Sequence, residues 1–182
     1  MKNLQKLTIL IIAIFSLQTA KAQVEFNHSL GLTVLTSPNV AAWGFTYEPR
    51  LNLFAAGDNG NISIGTHLSA NLSFNSQDAS GNGLLFDFPL MAEYNGGFGS
   101  SKDNSASFGY FAGIGYDLTS TIADANGTNA TNGLILDAGI RFSVKVPLSL
   151  RVSYLISSSS NSQTAGNVLG IGLSYMFGMG KN

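Results

Sequence analysis

The sequence predicts an all-β chain, an antiparallel up-and-down eight-stranded transmembrane β-barrel. Three observations predict it. Apolar and polar residues alternate with a period of two through eight segments. Charged residues make up only 10% of the chain, against about a quarter in ordinary soluble domains. The face opposite the apolar one is built of glycine, serine and a few charges rather than long water-facing side chains.

The period of two is the strand's own, because successive side chains point to opposite faces. The first segment, residues 26–36, carries Leu30, Leu32 and Val34 on one side. The second, 41–55, carries Trp43, Phe45, Tyr47, Leu51 and Leu53. In the third, ISIGTHLSANLSF (62–74), Ile62, Ile64, Leu68, Ala70, Leu72 and Phe74 alternate with Ser63, Gly65, His67, Ser69, Asn71 and Ser73. The fourth, 84–94, places Leu84, Phe86, Phe88, Leu90, Ala92 and Tyr94 together, and the fifth, 107–118, does so with Phe108, Tyr110, Ala112, Ile114, Tyr116 and Leu118. The sixth (134–145) runs from Leu134 to Val144, the seventh (148–157) from Leu148 to Ile156, and the eighth (168–178) from Leu169 to Phe177. Segments of roughly ten residues have the length a tilted strand needs to cross a bilayer.

The connectors alternate between short and long, as at the two ends of a membrane barrel. Gly57-Asp58-Asn59-Gly60 and Lys145-Val146-Pro147 are tight turns, while Asn75–Gly83, Thr119–Gly133 and Ser157–Asn167 read as long polar loops. Two connectors break the alternation: Gly96–Ala106 is long where a short turn is expected, and Ser37-Pro38-Asn39 is short where length is expected. Pro49 removes a ladder hydrogen bond inside the second segment, which predicts a bulge or a strand end there.

Which face meets lipid follows from composition. Glu48, Arg50, Asp87, Glu93, Asp117, Asp137, Arg141, Lys145 and Arg151 all fall on the polar parity, beside nine glycines and many serines. Small residues suit the lumen of an eight-stranded barrel, which has room for few large side chains, and suit an aqueous outer surface poorly. The apolar face gathers Trp43, Phe74, Phe86, Phe88 and Tyr116 toward one end and Tyr94, Phe108, Tyr110, Phe142, Tyr175 and Phe177 toward the other, as two aromatic girdles. His28 falls on this face near a strand end, at the interface. A soluble lipocalin-like binder would instead expose the glycine and serine face and aggregate.

The N-terminus supports export. Lys2 and Lys6, an apolar run from Leu7 to Leu17 and Ala20-Lys21-Ala22 make a signal peptide over residues 1–22, leaving a barrel domain over 23–182. The chain has no cysteine, which for an exported protein suits a bacterial envelope. The exported part carries six basic and ten acidic residues and no basic run, which argues against nucleic acid.

The segments FDFPLMAEYNGG (Phe86–Gly97) and YEPRLNLF (Tyr47–Phe54) resemble strands of Bacteroidota outer-membrane barrel-domain proteins. The chain as a whole resembles the small eight-stranded outer-membrane barrels of Gram-negative bacteria, of the OmpA transmembrane-domain and OmpX type. The resemblance implies a monomer in the outer membrane, in contact with its lipid and folded by the barrel-assembly machinery. Family members usually end on an aromatic residue; here LSYMFGMGKN sets Phe177 five residues before the end.

The inward charges divide by predicted height. Glu48, Arg50, Glu93, Arg141, Lys145 and Arg151 form a lower set of mixed sign, expected to pair into a network that plugs the lumen. Asp87, Asp117 and Asp137 form an outer-mouth acidic group, read as hydrated rather than metal-binding. His67 and Ser69 share a face, a spacing that some lipid A deacylases use, but on the lumen side and with no acid partner evident. No catalytic, metal or cofactor site is therefore assigned. The functional reading is a structural or surface-interaction protein of the outer membrane that meets an extracellular partner through its long loops. The alternative is a narrow channel for small solutes or ions.

Overall fold

The computed structural model describes residues 24–38, 40–75, 83–124, 127–143, 145–158 and 167–179. The signal-peptide reading of residues 1–22 lies outside them. Ten strands are formed: β1 (Glu25–Thr36), β2 (Val40–Ala55), β3 (Gly60–Gly65), β4 (Leu68–Asn75), β5 (Gly83–Asp87), β6 (Pro89–Gly97), β7 (Phe108–Asp124), β8 (Gly127–Ser143), β9 (Pro147–Ser157) and β10 (Val168–Met176). They make eight staves, because β3 and β4 lie end to end along β2, and β5 and β6 end to end along β7. Every pairing is antiparallel, and β1 pairs with both β2 and β10, so the sheet closes without an edge.

The registers fix the tilt. Starting at Asn52, the pairing runs through Ser63, Glu93, Gly113, Asp137, Ser153, Gly170 and Leu35 to Ala42, ten residues from the start on the same stave. A stagger of this kind tilts the strands and sets a lumen that side chains can fill.

The molecule is inside-out by the standard of a soluble domain. Among the described residues, 25 polar or charged residues are buried against ten hydrophobic ones. The outer wall is apolar throughout, with Phe45 and Leu90 each 65% exposed. Such a belt is stable only against hydrocarbon, since soluble monomers seldom expose apolar patches beyond a few hundred Å². Along one rim of the belt, rings meet: Phe26 stacks on His28 at 5.5 Å, His28 on Phe177 at 4.8 Å, and Tyr94 lies 6.1 Å from Tyr110.

Two local expectations are revised, and one connector is given its shape. β2 runs unbroken through Pro49, and the interruption falls on the neighbouring stave, where Thr66 N–H donates to the Pro49 carbonyl at 3.1 Å between β3 and β4. The bulge comes later, between Asn52 and Phe54. Thr119–Gly133 is not a loop: β7 and β8 continue pairing to Asp124 and Gly127. The long 98–107 connector turns into the barrel end rather than hanging free, through positive φ at Gly97 (69°) and Gly99 (79°), which a side chain would strain. Phe98 and Ser100 are both buried.

Ile114 stands in mid-belt, 53% exposed between Ala92 and Leu136. Ile114→Arg is expected to destabilise the barrel refolded in lipid vesicles by about 2–4 kcal/mol, the cost of a lipid-facing cation near the midplane. Urea unfolding followed by heat-modifiable gel mobility measures this; an unchanged midpoint contradicts the lipid-facing assignment.

Candidate functional site

The lumen is the site, and its layers follow from which inward positions carry which side chains. The start of β1, the end of β10 and the turns after β2, β6 and β8 lie at one end of the barrel, called here the termini end. There Phe98, Met176 and Met179 pack into an apolar floor, with Ala106 against it. The connector is tied down by the wall: Arg50 Nη2 donates to the Gly99 carbonyl at 2.6 Å and Asn52 Nδ2 to the Ser100 carbonyl at 2.7 Å.

Above the floor sits a charge network. Glu93 on β6 is its hub, with Arg151 Nη1 at 2.9 Å, Arg141 Nη2 at 3.6 Å and Arg50 Nη1 at 3.9 Å. Arg151 also faces Glu48 at 3.6 Å and pairs with Asp137. Glu48 accepts from Ser29 at 2.9 Å and from Ser174 at 3.1 Å. Asn95 accepts from Arg50 and Arg141, and its amide donates to Ser63 at 2.8 Å and Asn61 at 3.1 Å. Three guanidiniums thus meet three carboxylates, and all six residues are buried. Buried charges persist where they are paired and hydrogen-bonded.

Phe111 locks two of the arginines. The Arg141 guanidinium lies 4.1 Å and that of Arg151 4.7 Å from its ring centre, within cation–π range. The ring has room because Gly139 is its partner in register, and a Cβ there would collide with it. Gly99 likewise clears Arg141 and Met176, each 2.8 Å from where its Cβ would stand. Gly139 and Gly99 are holes for the large side chains beside them.

Beyond the network two apolar clusters stand beside buried polar residues such as Asn71, Asp87 and Asp117. Met91, Ile135 and Leu155 form one cluster, Leu35, Ala42 and Leu85 another, and Val168 packs on both.

Of the residues predicted for the network, Glu48, Arg50, Glu93, Arg141 and Arg151 come together. Lys145 does not; it is exposed on the turn after β8. Asp137 belongs to the network rather than to an outer-mouth group, because the strand stagger brings it level with Glu93. Asp87 and Asp117 are buried higher up, with Asp87 Oδ2 3.9 Å from His67 Nε2. Ser69 pairs in register with Asp87, and its hydroxyl accepts from Asn71 at 2.7 Å. His67, Ser69 and Asp87 all lie inside the lumen, turned from lipid. Among the described residues no group of three or more acidic or histidine side chains is placed to hold a metal. Asn95 and Phe111 were not singled out from sequence. An inward aromatic facing a glycine was the available signal for Phe111.

No family model and no curated protein matches this chain. Solved structures do. The attachment invasion locus protein Ail of Yersinia pestis, in complex with the heparin analogue sucrose octasulfate, is 12% identical, with a TM-score of 0.51 over 85% of this chain and 99% of that one. Neisserial surface protein A is 15% identical, with a TM-score of 0.48 over 83% and 94%. The outer-membrane protein OprG of Pseudomonas aeruginosa is 11% identical, with a TM-score of 0.44 over 87% and 98%. The likeness to Ail is one of fold. The closed eight-stranded antiparallel barrel, with its apolar outer wall, is of the small outer-membrane type.

Glu93→Ala leaves three arginines facing two carboxylates and is expected to cost about 3–5 kcal/mol. Gly139→Leu, which drives a side chain into Phe111, is expected to cost about 1–3 kcal/mol through overpacking. Equilibrium urea unfolding in vesicles reads both.

Proposed function

We infer that the chain is a bacterial outer-membrane barrel with a structural or surface-interaction role, its lumen closed to ions. The order of layers in the lumen carries this reading. An ion entering from the termini end meets the Phe98–Met176–Met179 floor, then a charge-balanced network, then the Met91–Ile135–Leu155 and Leu35–Ala42–Leu85 clusters. Hydrophobic constrictions exclude water and ions by dewetting, and two flank the network.

Surface interaction falls to the far end. The last β8–β9 pair is Gly133 with Ser157, yet β7 and β8 stay paired up to Asp124 and Gly127. This rise of β7 and β8, with β5 paired to β7 as far as Ile122 on its other flank, stands above the β9 side of the wall and is the surface offered to a partner. The sulfated sugar carried by Ail does not transfer easily. Among the described residues the three arginines are buried, and Lys102 and Lys145 sit at the termini end, so the far end offers a polyanion no cation.

The refolded barrel in a planar bilayer is expected to stay electrically silent while heat-modifiable mobility of the same preparation shows it folded. A steady ohmic current would instead establish the channel reading.

A further inference from the structure

We propose that the termini end carries a binding site for a neutral, hydroxyl-rich ligand, one unit of a saccharide. A cavity of about 260 Å³ opens there between the β2–β3 turn, the start of β1 and the 98–107 connector. Its walls include Glu25, Asn52, Phe54, Asp58, Ser101 and Asn104. None of the charged residues of the network lines it, and of the side chains bonded to the network only Asn61 does.

The site is built, not incidental. Lys102 N–H donates to Glu25 Oε1 at 2.7 Å, fastening the connector to β1. Ser100 Oγ donates to the Asn59 carbonyl at 3.2 Å, fastening it to the β2–β3 turn. Asn104 Nδ2 donates to Ser100 Oγ at 3.0 Å, and its own oxygen accepts from Ala106 N–H at 3.0 Å. Asn52 is 3% exposed; its Nδ2 is used on the Ser100 carbonyl, and its Oδ1 has no hydrogen-bond partner. A buried acceptor without a donor costs free energy; this oxygen is closed off from open space, while other atoms of Asn52 stand in the cavity wall. The bulge between Asn52 and Phe54 sits at this wall and adds a ring to it.

The wall chemistry selects the ligand class. No basic side chain lines the cavity, so phosphate and sulfate groups are not matched. Two carboxylates, several amides and a hydroxyl supply both acceptors and donors, which hydroxyl groups satisfy in turn. The Phe54 ring offers an apolar surface to the C–H face of a pyranose. The volume suits one sugar ring, and a few polar groups beside an apolar wall are the usual make-up of a small-molecule site. The carboxylates and amides of the wall can pair with an acetamido group as well as with hydroxyls, which makes an N-acetylated sugar the probe of choice.

The test is a solution NMR titration of the full refolded barrel in micelles with N-acetylglucosamine and, separately, its β-1,4-linked tetramer and calcium chloride. Saturable millimolar shifts at Asn52, Ser100 and Asn104 are expected. Affinity should fall at least about tenfold, that is about 1.4 kcal/mol, in Phe54→Leu and Asp58→Ala, with heat-modifiable mobility retained. Tighter binding of the tetramer would identify a glycan polymer as the source, and equal binding a free sugar. The proposal is overturned if neither sugar gives saturable shifts, if the shifts ignore both substitutions, or if only calcium perturbs these residues.

Discussion

A barrel whose outer wall meets hydrocarbon has to place its polar atoms on the inside, in a lumen no wider than side chains can fill. That constraint organises the rest of this structure. It explains why 25 polar or charged residues are buried among the described ones, and why they are so tightly interlinked. A guanidinium in this space has no bulk water to solvate it, so Arg50, Arg141 and Arg151 share Glu93, Arg151 also takes Glu48 and Asp137, and Phe111 and Asn95 each hold two of the three. The same lack of room accounts for the glycines. Gly139 and Gly113 are the spaces into which Phe111, Glu93 and Asp137 fit, so the small residues of one stave and the large ones of the next form a single packing arrangement.

The two barrel ends are built differently. At the termini end the 98–107 connector is drawn inward by Arg50 and Asn52 and carries Phe98 onto the methionines. The network therefore does more than neutralise charge, since one of its arginines also positions the floor. At the far end β7 and β8 outrun their neighbour β9. The connector's packing and hydrogen bonds are gathered at the termini end, and the reach for a partner lies opposite. This division suits the structural and surface-interaction reading.

The period-two pattern made the barrel itself legible, because a wall with lipid on one side and a filled lumen on the other imposes alternation on every residue in between. Features outside that regime were not legible. Thr119 to Asn132 read as loop because a strand that leaves the bilayer no longer needs an apolar face. Asp137 was placed at the outer mouth because height across staves depends on the ten-residue stagger, which no single strand reveals. Lys145 shares the network's parity but stands on the turn after β8, where the lumen has ended. Pro49 kept its strand because its carbonyl still accepts from Thr66, so the ladder broke on the neighbouring stave instead. The inward fold of 98–107 rests on contacts distant in sequence, and only its length hinted at a role.

The central claim is that the apolar wall touches lipid, and the chain carries its own reporter. Trp43 is the sole tryptophan and is 51% exposed on the outer wall. Fluorescence of the refolded barrel in vesicles of phosphatidylcholine brominated along its acyl chains is the most direct measurement. Strong quenching by the brominated lipid, with weak quenching by aqueous acrylamide, is the result this account predicts. Emission indifferent to bromine and quenched by acrylamide as freely as tryptophan in water would contradict it.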